Sequence, residues 1–329
     1  MNLTVTVPTL GKINLATKNM ISSLSHQSFN DFKVYFIVPR HYQKEVLFQY
    51  LESTSLDFSI VHQDKTGFEN AMNTAISISG DFNLNLDDDA VYDPSHVRLY
   101  KETLENSDVG MVFGKVNGFR PYLNKTVFFL EIQSLVNNRP LLGQLKDYAI
   151  YFNTAGFLTG RLSNIMRPFG SMRLNSDPIG VNMGWKRESV KNFYLREYSK
   201  KGTINEAYIA FHVVNVGFHV YETSLINVRH HHTKDSLSRG TRKGDYETKI
   251  VELLFSPLIL NTYSKIDFEE FEKTSAKLKK IMDKIPLKMK RHFLLSLETV
   301  NKGIQENWDI GKITREYNNI THFGYANDK

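Results

Sequence analysis

The first 118 residues switch repeatedly between two hydrophobic periods, and this switching limits the fold more than any single residue does. Leu3 to Val7 alternates as a strand and stops at Pro8, whose fixed φ and missing N–H end a ladder. From Asn14, a helix-capping residue type, to Gln27 the apolar residues keep helical spacing. Lys33–Val38 is a second strand, Tyr42–Glu52 a helix and Phe58–Val61 a third strand. After Gly67, residues Phe68, Ala71, Met72, Ala75 and Ile76 form one helical stripe. A strand through Phe82, Leu84 and Leu86, a helix over 94–105 and a strand over 109–116 follow. Strands and helices alternating about every 25–30 residues predict βαβ units, hence an α/β fold with a mainly parallel sheet flanked by helices, Rossmann-like in character.

Asn83-Leu-Asn-Leu-Asp-Asp-Asp89 then becomes the chemical focus. The strand delivers three carboxylates to its C-terminal end, where open α/β sheets collect ligands. Two like charges about 4 Å apart repel by roughly 4 kcal/mol at an effective dielectric near 20, and a hard divalent cation relieves that repulsion. A solvated acidic turn is the competing reading. Asp87 and Asp89 share a side of the strand end, while Asp88 points away and anchors the loop.

Beyond residue 118 the pattern changes. Residues 119–175 read as loops or an insertion; Pro178–Trp185 is ordered, and Thr203–Asn215 is a helix ended by Gly217. Two short strands, Phe218–Tyr221 and Ser224–Val228, lead to His230-His231-His232. Alternation puts His230 and His232 on one face, where either serves as a metal or diphosphate contact; a solvated basic turn competes. Residues 233–244 form a polar, basic loop whose Arg239 and Arg242 suit clamping of a diphosphate. Helical patterning runs from Tyr246 to about Ile304. Within it Lys277, Lys279, Lys280, Lys284, Lys288, Lys290 and Arg291 face a single acid, Asp283. That stretch reads either as a solvated basic face on a packing helix or as a peripheral membrane-surface helix.

Composition narrows the class. The chain has 329 residues, 41% hydrophobic and 23% charged, as in an ordinary globular protein. Its longest apolar run, Val251–Leu260, is too short for a span and carries Glu252 and Pro257. No leader pattern opens the sequence, so the expected location is cytoplasmic, with the inner membrane face as a peripheral site. Zero cysteines exclude disulfides and thiolate chemistry. The net charge of +6 favours phosphates, nucleotides or an acidic membrane face and is too mild for a nucleic-acid partner.

The segment Gly67-Phe-Glu-Asn-Ala71-Met-Asn73, then Ser79-Gly80-Asp81 and the strand into Asp87-Asp88-Asp89, resembles the core of glycosyltransferase family 2. There a Gly-x-x-x-Ala-Arg-Asn helix precedes a strand ending in Asp-x-Asp. Thr6-Val7-Pro8-Thr9 is similar to the family's opening nucleotide-holding loop, and Gly180-x-Asn182-Met183-Gly184-x-x-Arg187 to its acceptor-side segment. Counted back from Gly217, Asn205 and Glu206 occupy the places of the family's Glu-Asp pair, whose Asp serves as the base.

The resemblance implies a GT-A type sheet over residues 1–240, with a donor half (about 1–118) and an acceptor half (about 119–240), and a helical extension over 245–329. It also implies a metal-dependent, inverting, hexosyltransferase-like enzyme of glycan or polysaccharide biosynthesis. A nucleoside-diphosphate sugar would be its donor, Mn²⁺ or Mg²⁺ its metal, and a glycan, lipid-linked or other hydroxyl group its acceptor. Glu206 would be the base. Asp87, Asp89, His230 and His232 would be metal ligands, and Pro8, Thr9, Asp64, Asn73, Asp87, Asp88, Arg239 and Arg242 would contact the donor. Three positions depart from the family pattern: Pro39-Arg40-His41 stands where an acidic turn is usual, Met72 replaces Arg, and Glu206 replaces Asp. The donor base, the sugar, the acceptor and the oligomeric state stay open. A sugar nucleotidyltransferase and a non-catalytic carbohydrate-binding or assembly protein are the alternatives.

Overall fold

The computed structural model describes residues 2–42, 45–117, 139–160, 169–178, 180–199, 202, 204–230, 244–280 and 287–321, without the side chains of 244–249 and 287–289. Its contacts divide the chain into two units. The first is Met1–Phe119 with Pro168–Leu195 and Ile209–Lys234; the second is Arg120–Arg167 with Arg196–Tyr208 and Asp235–Lys329.

The first unit is built in the order β1 (Leu3–Pro8), α1 (Leu15–Ser25), β2 (Lys33–Pro39), α2 (Glu45–Glu52), β3 (Phe58–Gln63), α3 (Phe68–Ser77), β4 (Phe82–Leu86), β5 (Ala90–Tyr92), α4 (His96–Leu104) and β6 (Val109–Asn117). Asn14 caps α1 by accepting from the Thr17 N–H. In the second unit β7 (Ile150–Phe152) and β8 (Leu158–Gly160) form an antiparallel pair. The first unit resumes with β9 (Met172–Leu174) and β10 (Asn182–Lys186). Helix α5 (Asn205–Asn215) starts in the second unit and ends in the first, and Gly217, at φ +98°, releases the chain into β11 (His219–His230).

The main sheet runs β3-β2-β1-β4-β10-β6-β11-β5, with β9 also on β11. Strands β3, β2, β1, β4, β6 and β11 are parallel to one another, and β10, β5 and β9 are antiparallel to their neighbours. The mainly parallel α/β reading therefore holds. The two expected short strands at 218–228 are one strand. A register shift between Thr223 and Asn227 interrupts its pairing with β6, next to the polar Glu222-Thr223-Ser224 that separated the two expected strands.

Strand β4 is buried along its whole length. Its apolar residues Phe82, Leu84 and Leu86 join Leu3, Val5 and Val7 of β1 and Met20, Ile21 and Leu24 of α1 in the main core. Each such side chain contributes about 1.5–3 kcal/mol when fully buried. The other face is polar yet satisfied. Thr4 Oγ1 donates to Asn83 Oδ1 at 2.7 Å, and Asn83 Nδ2 donates to Thr6 Oγ1 at 3.1 Å. Asn85 Nδ2 reaches the Gly180 carbonyl at 3.2 Å. Buried amides without such partners would each cost about 1–3 kcal/mol, so the ladder fixes the β1–β4 register that sets the strand end.

The rest of the second unit is helical: α6 (Gly244–Asn261), α7 (Phe268–Lys280), α8 (Leu287–Gln305) and α9 (Ile310–Thr321). Helix α6 continues past Pro257, which cannot donate to the Leu253 carbonyl. The Ser256 hydroxyl lies 2.7 Å from that oxygen and takes the place of the missing N–H. Among the described residues no helix is long and apolar enough to cross a membrane.

Candidate active site

The carboxyl ends of the parallel strands β1 to β4 place Pro8, Pro39, Gln63 and Leu86 along one edge of the sheet. The acidic turn follows Leu86 directly. Strand β5 begins one residue after Asp89 and pairs with β11, so that His230 stands opposite Ala90. This antiparallel pairing brings a residue 141 positions away in sequence onto the turn. His230 Nε2 lies 3.0 Å from Asp89 Oδ1 and 3.8 Å from Asp87 Oδ2. One ligand atom from each of the three residues falls within 4.8 Å of the others.

Burial and like charge act together on these carboxylates. Burial raises the Asp87 carboxyl above its ordinary value, the neighbouring Asp89 raises it further, and His230 draws it back down. Asp88 is pushed up to about 6, by burial first, against the Thr9 hydrogen bond that lowers it and the Asp89 charge that raises it. Carboxylates held this way favour a proton or a metal ion. Two carboxylate oxygens and an imidazole nitrogen are a donor set that fits a divalent ion of Mn²⁺ type: oxygen ligands suit Mg²⁺ and Mn²⁺, and the imidazole tips the preference toward the transition ion.

Asp88 turns to the β1 loop, where the Thr9 hydroxyl donates to its Oδ2 at 2.5 Å. Thr9 also accepts from the Gly11 N–H at 2.9 Å, so the acidic turn and the β1 loop are tied together. Tyr92, which the sequence did not single out, donates to the Asp87 main-chain carbonyl at 3.0 Å and pins the turn from β5. An aromatic residue five positions after an Asp carries little signal until β5 is known to fold back. Pro8 ends β1, and the next N–H, that of Thr9, bonds to the Ile37 carbonyl at 2.9 Å.

Three more of the expected site residues fall among the described ones. Asn73 is buried in α3, and its amide exchanges two hydrogen bonds with the Leu195 main chain, at 2.8 and 3.0 Å. Asp64 is exposed on the turn after β3. Glu206 sits in the first turn of α5, on a segment that belongs to the second unit. A carboxylate there is favoured by the helix dipole. His232, Arg239 and Arg242 lie outside the described residues.

Residues 4–166 match the family model described as Glycosyl transferase family 2. This part of the chain belongs to glycosyltransferase family 2. Solved structures agree on the fold. Residues 1–349 of Staphylococcus aureus TarS align at 10% identity over 98% of this chain and 90% of that one, with a TM-score of 0.53. The UDP complex of the same TarS region gives 12% identity, the same shares and a TM-score of 0.51. The Pyrobaculum calidifontis mannosyltransferase PcManGT, solved with GDP-Man and Mn²⁺, gives 11% identity, 98% and 87% coverage and a TM-score of 0.53. At these identities the likeness is one of fold, and the fold is that of GT-A glycosyltransferases. No curated protein sequence matches the chain.

Proposed function

We propose that this family 2 glycosyltransferase is metal-dependent and inverting, moving a sugar from a nucleoside-diphosphate sugar to a hydroxyl group on a glycan or lipid-linked acceptor. The observation that carries this reading is the convergence of Asp87, Asp89 and His230 at the carboxyl end of β4. These residues would hold the divalent ion, which when bound supplies positive charge to offset the negative charge growing on the departing diphosphate. The β1 loop, fixed to Asp88 through Thr9, presents Pro8 and Thr9 to the nucleotide. Glu206 takes the proton from the acceptor hydroxyl, so that the new bond forms on the face opposite the leaving group. Arg239 and Arg242 supply cations for the diphosphate. That a relative of this fold was solved with a GDP-sugar and Mn²⁺, and another with UDP, is consistent with the donor class.

Product analysis with a panel of UDP-, GDP- and dTDP-sugars and Mn²⁺ tests the proposal. Glu206→Gln should keep donor binding and lower kcat by about 10²–10⁴-fold, the range a general base contributes. Full kcat in that variant would remove Glu206 from the mechanism. No metal-dependent turnover of any donor would favour a binding or assembly role.

A further inference from the structure

A polar pocket opens beside the edge of the main sheet, where α1 lies against β5. It has a volume of about 440 Å³ and is lined by Asn19, Ser22, Ser23, His26, Val91 and Arg229. Arg229 pairs with Val91 across the β11–β5 ladder. Successive strand residues point to opposite faces, so its neighbours Val228 and His230 turn the other way, one into the core and one to the acidic turn.

The lining is rich in donors and holds no acid. Arg229 is exposed and has no carboxylate partner among the described residues. His26 Nδ1 lies 2.7 Å from the Ser22 carbonyl, which can only accept, so this nitrogen carries the hydrogen and Nε2 of the neutral ring is an acceptor that adds nothing to binding an anion. Ser23 is engaged already: its hydroxyl donates to the Met20 carbonyl at 2.7 Å and accepts from the Tyr92 N–H at 3.2 Å. The Asn19 amide, the Ser22 hydroxyl and the Arg229 guanidinium therefore remain to bind something. One feature opposes an anion, because the C-terminal end of α1, at His26, carries about half a negative charge from the helix dipole. The whole charge of Arg229 outweighs it, and the pocket runs along the side of the helix as well as its end.

We propose that this pocket binds the phosphoryl group of a small phosphate compound at a site separate from the donor diphosphate. A guanidinium fork with an amide and a hydroxyl matches phosphate oxygens, and the volume lies within the range of small-ligand sites. The inference stands apart from the assignment of the donor and the metal. The phosphoryl group could belong to an acceptor or to free inorganic phosphate, and the test separates the two.

The experiment is calorimetric titration of the full chain in EDTA, which silences the metal cluster, with inorganic phosphate, glycerol 3-phosphate and uncharged glycerol. Both phosphate compounds are expected to bind with Kd of about 1 mM or below, and glycerol not at all. Tighter binding of glycerol 3-phosphate marks an ester as the ligand, and preference for inorganic phosphate marks a free effector. Arg229→Gln should weaken binding at least about tenfold. The double change Asn19→Ala with Ser22→Ala, on the surface of α1 where folding is insensitive, should weaken it about three- to tenfold. Absence of phosphate binding, or binding unchanged in both variants, overturns the proposal.

Discussion

At the residue scale the candidate site sets two carboxylates that repel each other, Asp87 and Asp89, beside the His230 imidazole. Asp87 and Asp89 are adjacent in the alternating pattern, and the sequence pointed to them because three consecutive carboxylates end a strand. A second acidic pair was not. Asp177, held near Glu222, is pushed up to about 6 from 3.8, by burial first and by the Glu222 charge second. Glu222 itself accepts from Arg173 Nε at 2.6 Å and from Asn175 Nδ2 at 2.9 Å, so the strand pairing of β9 with β11 builds the cluster. Nothing in the separate segments announces that pairing. The folded pKa exceeds the unfolded one, so between pH 4 and 6 the folded state keeps a proton that the unfolded state has lost. Stability attributable to Asp177 therefore falls as pH rises through that window, and the full penalty stands above it. Asp177→Asn should be about 1–2 kcal/mol more stabilising at pH 7.5 than at pH 4 in denaturant titrations. An equal effect at both pH values would contradict the assignment.

At the element scale the decisive piece is β5, three residues to which the sequence pattern assigns no strand. Three residues are too few to show a period, and their strand character comes only from pairing with β11. Strand β11 is held in turn by β6, whose Gly114 pairs with Thr223 beside the register jump. A Cβ on Gly114 would lie 2.4 Å from the Ile226 carbonyl oxygen and 2.4 Å from Asn182 Nδ2. Neither the strand backbone nor the buried Asn182 yields easily. Gly114→Ala should thus destabilise the chain by about 1–3 kcal/mol and, by displacing β11 and His230, also weaken Mn²⁺ binding. A variant with unchanged stability and metal affinity would show that this contact has no such role. The long elements of the first unit, by contrast, were readable to within a few residues, because α1, α3, β1, β2 and β4 each bury a full stripe or face.

At the scale of the whole molecule, the sequence showed helices after residue 245 but neither α9 nor the grouping of residues 120–167 with them. Helix α9 lies beyond the pattern that was read as ending near Ile304. Its role is to close over a buried carboxylate, for Glu252 of α6 accepts from the Ser199 hydroxyl at 2.6 Å and from the Tyr317 hydroxyl at 2.9 Å. Such bonds join residues 53 and 65 positions apart, a distance at which hydrophobic periodicity carries no information. Tyr317→Phe keeps the ring contacts with Tyr198 and Phe255 but leaves Glu252 one donor short; it should cost about 1–3 kcal/mol in chemical denaturation, and no measurable loss would contradict that role. The account as a whole rests on Asp87, Asp89 and His230 holding the ion that the donor diphosphate needs. The most direct test is calorimetric titration of UDP, GDP and dTDP into the full chain with Mn²⁺ and with EDTA, for the natural sequence and for Asp89→Asn. At least one nucleotide should bind with Mn²⁺, at least about tenfold more weakly in EDTA, and with no Mn²⁺ dependence in Asp89→Asn. Equal nucleotide affinity in Mn²⁺ and EDTA, or a Mn²⁺ dependence retained by Asp89→Asn, would contradict it.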